Sequence, residues 1–169
     1  MSEPQIAAKF YAYQSNRLAQ LQQTIAKCCD RLTEEQMWRR GGEHENSVAN
    51  LLLHLAGNLR QWVMHGLAGQ PDVRERDEEF TLAVACTVAE ARSVFDRAVQ
   101  EAVAIIAALP AERLLEVVDP QPAGSLRHPT VMEAIMKTVE HVSHHAGQII
   151  LLTKQMTATD LDLSLPRKR

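Results

Sequence analysis

The chain has 169 residues, a formal net charge of −3 and only 4% aromatic side chains, which fits one domain with a sizeable core and gives no sign of a nucleic-acid or membrane-surface partner. No apolar run approaches the ~18 residues needed to cross a bilayer. Three cysteines without a Cys-x-x-Cys motif argue against a disulfide framework and a thiolate zinc site, and they predict a reducing, cytoplasmic location.

Apolar side chains recur every three to four positions over the first predicted helix, residues 4–30, after a capping-box pattern that begins at Ser2. A second capping-box pattern, beginning at Thr33, predicts one short helical turn over residues 34–40. The polar, turn-rich stretch that follows is predicted to be a surface loop.

The second long helix is predicted over residues 47–68, because its apolar side chains form one wide stripe. His54 lies at the edge of that stripe, one position before Leu55. The dense charged segment 72–80 that follows is predicted to be a loop.

The third long helix is predicted over residues 88–109, with a capping box at Thr87 and Pro110 at its end. It carries no histidine. Its wide apolar stripe and its small side chains would let a second copy of the chain pack closely, so we expect a homodimer. The small side chains concerned are Ala89, Ala91, Ala98 and Ala102.

The fourth long helix is predicted over residues 130–156, and residues 158–169 are predicted to be a loose polar tail after a single domain of residues 1–157. Few strand signals occur, so the sequence predicts an all-α four-helix bundle with long connections after helices one and three. The expected common core comprises Leu51, Leu55, Leu59, Val94, Ala98, Ile105, Val139, Val142 and Ile149.

Three of the seven histidines lie within five residues on the fourth helix. His141 and His145 are one turn apart on the same face, a spacing that lets two imidazoles converge on one ion. His144 is the alternative second ligand, but it leans away from the apolar stripe, so we favour His145. Histidines beside an apolar stripe also occur as ordinary hydrogen-bonded core residues, which is the competing interpretation.

Each of His54, His141 and His145 comes one position before a residue of the apolar stripe. Packing the stripes together would therefore gather the three imidazoles around one divalent metal, and would leave a position for water or substrate. His65 is about 16 Å along the helix from His54 and His44 is in a loop, so neither can join them. Because neutral imidazole is the ligand, binding is expected to weaken as pH falls through the histidine range near 6.5.

Several polar side chains are candidates for holding the other imidazole nitrogens or a substrate group. They are Asn58, Gln148, Glu140, His144 and Arg60, together with Arg74 and Arg76 from the charged loop. A di-iron carboxylate site is excluded, because it needs repeated Glu-x-x-His motifs, whereas Glu140 precedes His144 by four positions and no second copy occurs.

The runs Ser47–Asn58 and His141–Gln148 together resemble the DinB-like (YfiT-like) superfamily, in a branch without an assigned reaction, over about residues 5–157. The resemblance implies a four-helix bundle that binds one divalent metal, commonly nickel or zinc, at positions matching His54, His141 and His145. It also implies thiol-dependent enzymes and homodimers.

Two functions follow from the residues and the resemblance together. One is a metal-dependent transferase or hydrolase that activates a small thiol or water, with a small-molecule substrate such as a low-molecular-weight thiol. The alternative is a non-catalytic metal-binding or stress-associated dimeric bundle.

Overall fold

The computed structural model describes residues 2–80, 86–122 and 126–163, and within these ranges the chain is all-helical, as predicted. The five α-helices are α1 (Glu3–Cys29), α2 (Glu34–Trp38), α3 (Val48–Leu59), α4 (Val88–Ala108) and α5 (Val131–Thr157). A π-helical segment covers Arg60–His65, and 3₁₀ segments cover Arg76–Phe80 and Ala111–Leu115. The β pairing found in these ranges is a single bridge between Val117 and Thr130.

Serine and threonine side chains fix where the helices begin. Thr33, Ser47, Thr87 and Thr130 each accept a hydrogen bond from the backbone N–H of the third helical residue. The capping boxes predicted at the three threonines are confirmed, because the Gln or Glu at that third position also accepts from the threonine's own N–H, at 2.8–2.9 Å. These caps explain why most helix bounds agree with prediction to within two residues.

The second long helix differs from its prediction at its C-terminal end. Its α-helical part ends at Leu59, and residues Arg60–His65 continue with a wider turn, in which the N–H of Gly66 bonds to the carbonyl oxygen of Gln61 at 3.2 Å. A π-helical turn adds a residue to each circuit, so it rotates the side chains that follow it relative to a continued α-helix. The four buried residues of this segment include Trp62.

The four long helices enclose the core. α1 packs against α4 and α5, and α3 packs against the same two helices. Seven of the nine predicted core residues are buried, whereas Val94 and Ile105 are half-buried and pack against the core's edge. None of the helices in the described ranges is long and apolar enough to cross a membrane.

Two expectations about surfaces change with the structure. Ala91, Ala98 and Ala102 of α4 are buried within their own chain, so they are not available to a second copy. Of the four small side chains named for the dimer, Ala89 alone is exposed, so the homodimer remains a prediction with little of the surface on which it was based. The tail expected to be loose is also partly anchored, because Leu161 is buried and Leu163 packs against the core; residues 164–169 lie outside the described ranges.

Candidate metal centre

His54 from α3 and the pair His141 and His145 from α5 meet between the two helices. The Nε2 atoms of His54 and His141 are 2.9 Å apart, and the ring centroids of the three imidazoles are 4.5–5.0 Å apart. One ligand nitrogen from each residue lies within 4.8 Å of the other two. His145 rather than His144 completes the cluster; the exposed His144 ring lies beside His145 at 5.4 Å.

Glu79 holds the other nitrogen of His54. Its Oε2 is 2.8 Å from His54 Nδ1, and both side chains are only 8% exposed. Because a carboxylate only accepts, the proton of the neutral imidazole belongs on Nδ1, which leaves the Nε2 lone pair directed into the cluster. A carboxylate in this position orients a metal-binding histidine and makes it more basic.

Arg74 in turn fixes Glu79. Its guanidinium donates two hydrogen bonds to the carboxylate, from Nε and Nη2, each 2.7 Å long, and a third from Nη1 to Gln61 Oε1 at 3.0 Å. Arg74 Nη2 also lies 3.2 Å from His54 Nδ1. Paired, planar hydrogen bonds of this kind are among the strongest that proteins make, so the position of Glu79 is well defined.

A glycine on α3 makes room for this ion pair. A Cβ atom built at Gly57 would lie 2.9 Å from the carboxyl carbon of Glu79, closer still to one of its oxygens, and 3.0 Å from Arg74 Nε. No larger residue fits there without moving the pair. Gly57 therefore lets the segment carrying Arg74 and Glu79 lie directly against α3.

The segment is anchored again near Asn50, one helical turn before His54 on α3. Asn50 Nδ2 donates to the carbonyl oxygen of Glu79 at 3.0 Å, and the ring of Phe80 lies 4.8 Å from that of His54. Arg40 joins this anchor, since it donates to Asn50 Oδ1 at 2.6 Å and to the carbonyl oxygen of Phe80 at 3.4 Å. The charged segment 72–80 is thus a docked part of the site rather than a free loop.

On α5, Gln148 holds the Nδ1 of His145, as Glu79 holds the Nδ1 of His54. Its Oε1 is 2.7 Å from His145 Nδ1, so this imidazole also carries its proton on Nδ1 and offers Nε2. Gln148 was among the side chains expected to hold a second imidazole nitrogen, and the structure places it there.

Burial favours the uncharged form of the two α5 histidines of the cluster. Burial, followed by the proximity of His145 and His54, lowers the pKa of His141 to about 3, and burial also lowers the pKa of His145. For Glu79, burial favours the neutral form, but hydrogen bonds from Arg74 and His54 outweigh it and lower the pKa. Protonation of His141 therefore starts well below the range near 6.5 expected from an unperturbed histidine.

The remaining candidates lie in different settings. Asn58 is buried, and its Oδ1 has no hydrogen-bond partner among the residues that the structure describes. Glu140 is exposed, and no hydrogen bond or ion pair joins it to the rest of the described chain. Arg60 is exposed at a cavity of about 400 Å³ that Arg74 and Glu79 also line. Arg76 stacks on Phe80 instead, with its guanidinium 5.1 Å from the ring centroid.

The two histidines excluded by sequence stay apart from the cluster. His65 Nδ1 bonds to the carbonyl oxygen of Gln70 at 2.7 Å, and His44 is exposed in a loop. The three that come together form a set of imidazole donors, which suits zinc, nickel, copper or iron(II). The three donors, two of them with Nδ1 held by a hydrogen-bond partner, therefore fit one divalent transition metal.

Glu79 is the functional side chain that the sequence reasoning missed. It stood among the seven charged residues of a predicted loop, and nothing in its spacing distinguished it from Glu78 or Asp77. One signal was available: a loop whose apolar Phe80 follows the charges was a candidate to fold back onto a helix. Only the structure shows which carboxylate of the loop is buried.

Comparison with known proteins places the chain in a family. No curated protein matches it. A family described as "Protein of unknown function (DUF1572)" matches residues 5–169, nearly the whole chain and all of the residues that build the histidine cluster. The chain therefore belongs to the DUF1572 family.

Proposed function

We propose that this protein is a metal-dependent enzyme in which His54, His141 and His145 bind one divalent ion, nickel or zinc, within a four-helix bundle of the DinB-like superfamily. The observation that carries the proposal is the convergence of three imidazole nitrogens within 4.8 Å. The hydrogen bonds of Glu79 and Gln148 support it, since they turn two of the three Nε2 atoms toward a shared point.

The reaction class follows from the ligand set. Three protein ligands leave a position for another molecule, as in catalytic rather than structural zinc sites. A divalent metal held there lowers the pKa of a thiol or of water and so makes a nucleophile available at neutral pH. We therefore propose a transferase that activates a small thiol, or a hydrolase that activates water.

The chain's own residues have separate tasks in this proposal. Burial keeps His141 neutral, so that its nitrogen is free to bind. Glu79 orients His54 and holds the proton on Nδ1, while Arg74 balances the negative charge of the carboxylate. The buried helices around the cluster exclude bulk water from one side of it.

A specific observation favours the second candidate, a non-catalytic metal-binding bundle that acts as a dimer. Arg74 was a candidate for binding the carboxylates of a thiol, but both of its carboxylate-facing nitrogens are engaged by Glu79. Arg76 lies over Phe80. The basic side chains first considered for a substrate are thus partly occupied within the protein.

The two candidates separate in one experiment. Protein purified without a chelator or a polyhistidine tag is analysed for metal, then loaded with zinc or nickel and assayed with a thiol and an aryl-halide electrophile, and separately with ester and amide substrates. Thiol conjugation or hydrolysis that depends on the metal supports the enzyme. One equivalent of metal without either activity supports the binding protein, and absence of metal binding contradicts both.

A further inference from the structure

One face of α3 and of the π-helical segment that continues it carries no apolar side chain and is covered by the charged segment 72–80. Its residues follow one another at intervals of four, three and four positions, which puts them on the same side of the helix. They are Asn50, His54, Gly57 and Gln61. His54 and Gly57 meet Glu79 in the middle of this face, and the two amides stand at its ends.

Gln61 holds the beginning of the charged segment. Its Oε1 accepts a hydrogen bond from Arg74 Nη1 at 3.0 Å, and its Nε2 donates to Asp72 Oδ2 at 3.2 Å. Asp72 Oδ1 accepts in turn from the backbone N–H of Arg74 at 3.2 Å. A guanidinium only donates and a carboxylate only accepts, so one orientation of the buried Gln61 amide satisfies both partners. The guanidinium that holds Glu79 is therefore itself held by α3.

Asn50 holds the end of the charged segment in the same way. Its side chain is fully buried, and its Nδ2 donates to the carbonyl oxygen of Glu79 at 3.0 Å. Its Oδ1 accepts from Ser47 Oγ and from Arg40 Nη2, each at 2.6 Å. Ser47 also caps α3, because its Oγ accepts from the N–H of Asn50 at 3.1 Å. The backbone of Glu79 is thus tied to the first turn of the helix that carries His54.

Two buried amides at these positions do more than hold a loop against a helix. A buried amide stabilises a fold little more than an apolar side chain of the same shape, because its hydrogen bonds replace those that it makes with water in the unfolded chain. Hydrogen bonds differ from apolar packing in fixing both distance and direction. Asn50 and Gln61 apply this constraint from two sides to Glu79, whose carboxylate meets the Nδ1 of His54.

We propose that Asn50 and Gln61 are positioning residues of the three-histidine site. They clamp the charged segment at both ends, so that Glu79 keeps the proton of His54 on Nδ1 and leaves Nε2 available to a metal. In the sequence this clamp is the pattern Asn-x3-His-x2-Gly-x3-Gln, followed by Asp-x-Arg-x4-Glu. The inference rests on the proposed function and adds two residues that contact neither metal nor substrate.

The first measurement uses the metal-free, isotope-labelled full-length protein and reads the tautomer of His54 by long-range proton–nitrogen NMR correlation. The parent should carry the proton on Nδ1. Gln61→Met keeps the length of the side chain but removes both of its hydrogen bonds, and it should raise the share of the Nε2–H form. Asn50→Asp keeps the acceptor but removes the donor to Glu79, and it should act in the same direction. A parent with its proton on Nε2, or two variants with the tautomer of the parent, would overturn the proposal.

The second measurement is metal binding, by calorimetry with zinc and by the absorption spectrum of the cobalt(II)-loaded protein. Zinc affinity should fall by about tenfold in each variant, the low end of the 10–100-fold range for losing a partner outside the ligands. The cobalt bands should shift, because the direction of the His54 ring changes. Gln22→Met is the matched control, since it removes a glutamine that bonds to Asp96 at 2.8 Å between α1 and α4. It should leave the tautomer, the zinc affinity and the cobalt bands at the parent's values.

The outcomes separate the clamp from the function on which it rests. A parent that binds neither zinc nor cobalt overturns the proposed function, and the tautomer measurement then decides on its own whether the two amides position His54. If the parent binds zinc and both variants keep its tautomer and affinity, the clamp alone is wrong. If circular dichroism shows that one variant does not fold, the other variant, at the opposite end of the charged segment, decides the question.

Discussion

α5 and the segment from Asp72 to Phe80 both supply groups to the histidine cluster, but they hold those groups in place by different means. On α5, the helical repeat alone puts His141 and His145 on one face. The segment has one short 3₁₀ turn, and it is held by side-chain hydrogen bonds to α3 and by the space above Gly57. Regular structure positions the ligands of the site, whereas a docked irregular segment sets the tautomer and charge around one of them.

The largest effect should come from removing the one ligand that joins the two helices. His54→Ala leaves both remaining imidazoles on α5, and we expect zinc affinity to fall by more than about 100-fold, since even loss of an outer hydrogen-bond partner costs 10–100-fold. Helical content should not change. Calorimetry with zinc measures the affinity, with His65→Ala as the matched control. Equal affinity of His54→Ala and the parent would mean that α3 contributes no ligand.

The next effect tests the docked segment itself. Glu79→Gln removes the charge that orients His54 and leaves Arg74 buried without its counter-ion. We expect zinc affinity to fall by about 10–100-fold. Urea denaturation should show the metal-free protein destabilised by up to about 3–5 kcal/mol, the range for a broken buried pair.

Glu78→Gln is the control for this change, because it removes an exposed carboxylate from the same 3₁₀ turn. It should leave both zinc affinity and stability at the parent's values. Equal zinc affinity and stability of Glu78→Gln and Glu79→Gln would mean that Glu79 has no specific role in the site.

Gly57→Ala tests how tightly the docked segment packs against α3 without changing any charge. The added methyl group meets the Glu79 carboxylate, and overpacking of this kind costs about 1–3 kcal/mol. Gly147→Ala is the matched control on α5, where an added Cβ meets nothing within 4 Å. Because alanine favours helix over glycine, that variant should be stabilised by about 0.5–1 kcal/mol. Thermal denaturation should show a lower melting temperature for Gly57→Ala and a higher one for Gly147→Ala. Shifts of the same sign would contradict the predicted difference between the two sites.

A smaller effect is expected from pH. Burial lowers the pKa of His141 to about 3, whereas in the unfolded chain it is about 6.5. Between these values the unfolded chain binds a proton that the metal-free folded chain does not. The free energy of unfolding should therefore fall as pH is lowered, by up to about 1.4 kcal/mol per pH unit for this group. In urea titrations from pH 7 to 5, His141→Asn should show a shallower fall than the parent; a parallel fall would show that His141 is not the cause.

The smallest effect should come from His144→Ala, which removes an imidazole that lies beside the cluster rather than in it. Zinc affinity should change by less than about twofold, since an exposed neighbour contributes little. His145→Ala, which removes a ligand, should in contrast weaken zinc binding clearly, though less than His54→Ala. The reverse result in these two titrations would place the second α5 ligand one residue earlier.

The sequence by itself determined where the helices lie and which histidines stand near the core, because capping residues and the 3.6-residue repeat act over a few neighbouring positions. Thr87 and Thr130 cap the helices that were predicted from them, and the offset of His54 from Leu55 placed its imidazole at the edge of a buried stripe. These are local properties, and local reasoning was sufficient for them.

Only the tertiary structure decided that Glu79, rather than Glu78 or Asp77, reaches His54. It also decided that Gln61, on the π-helical segment, accepts a hydrogen bond from Arg74. The face of α4 that carries small side chains is likewise used within the chain. Each of these depends on contacts between residues far apart in the sequence or on the space left by a neighbouring helix. Charge and spacing along a loop do not encode which of its carboxylates is buried, because burial is set by the surface against which the loop docks.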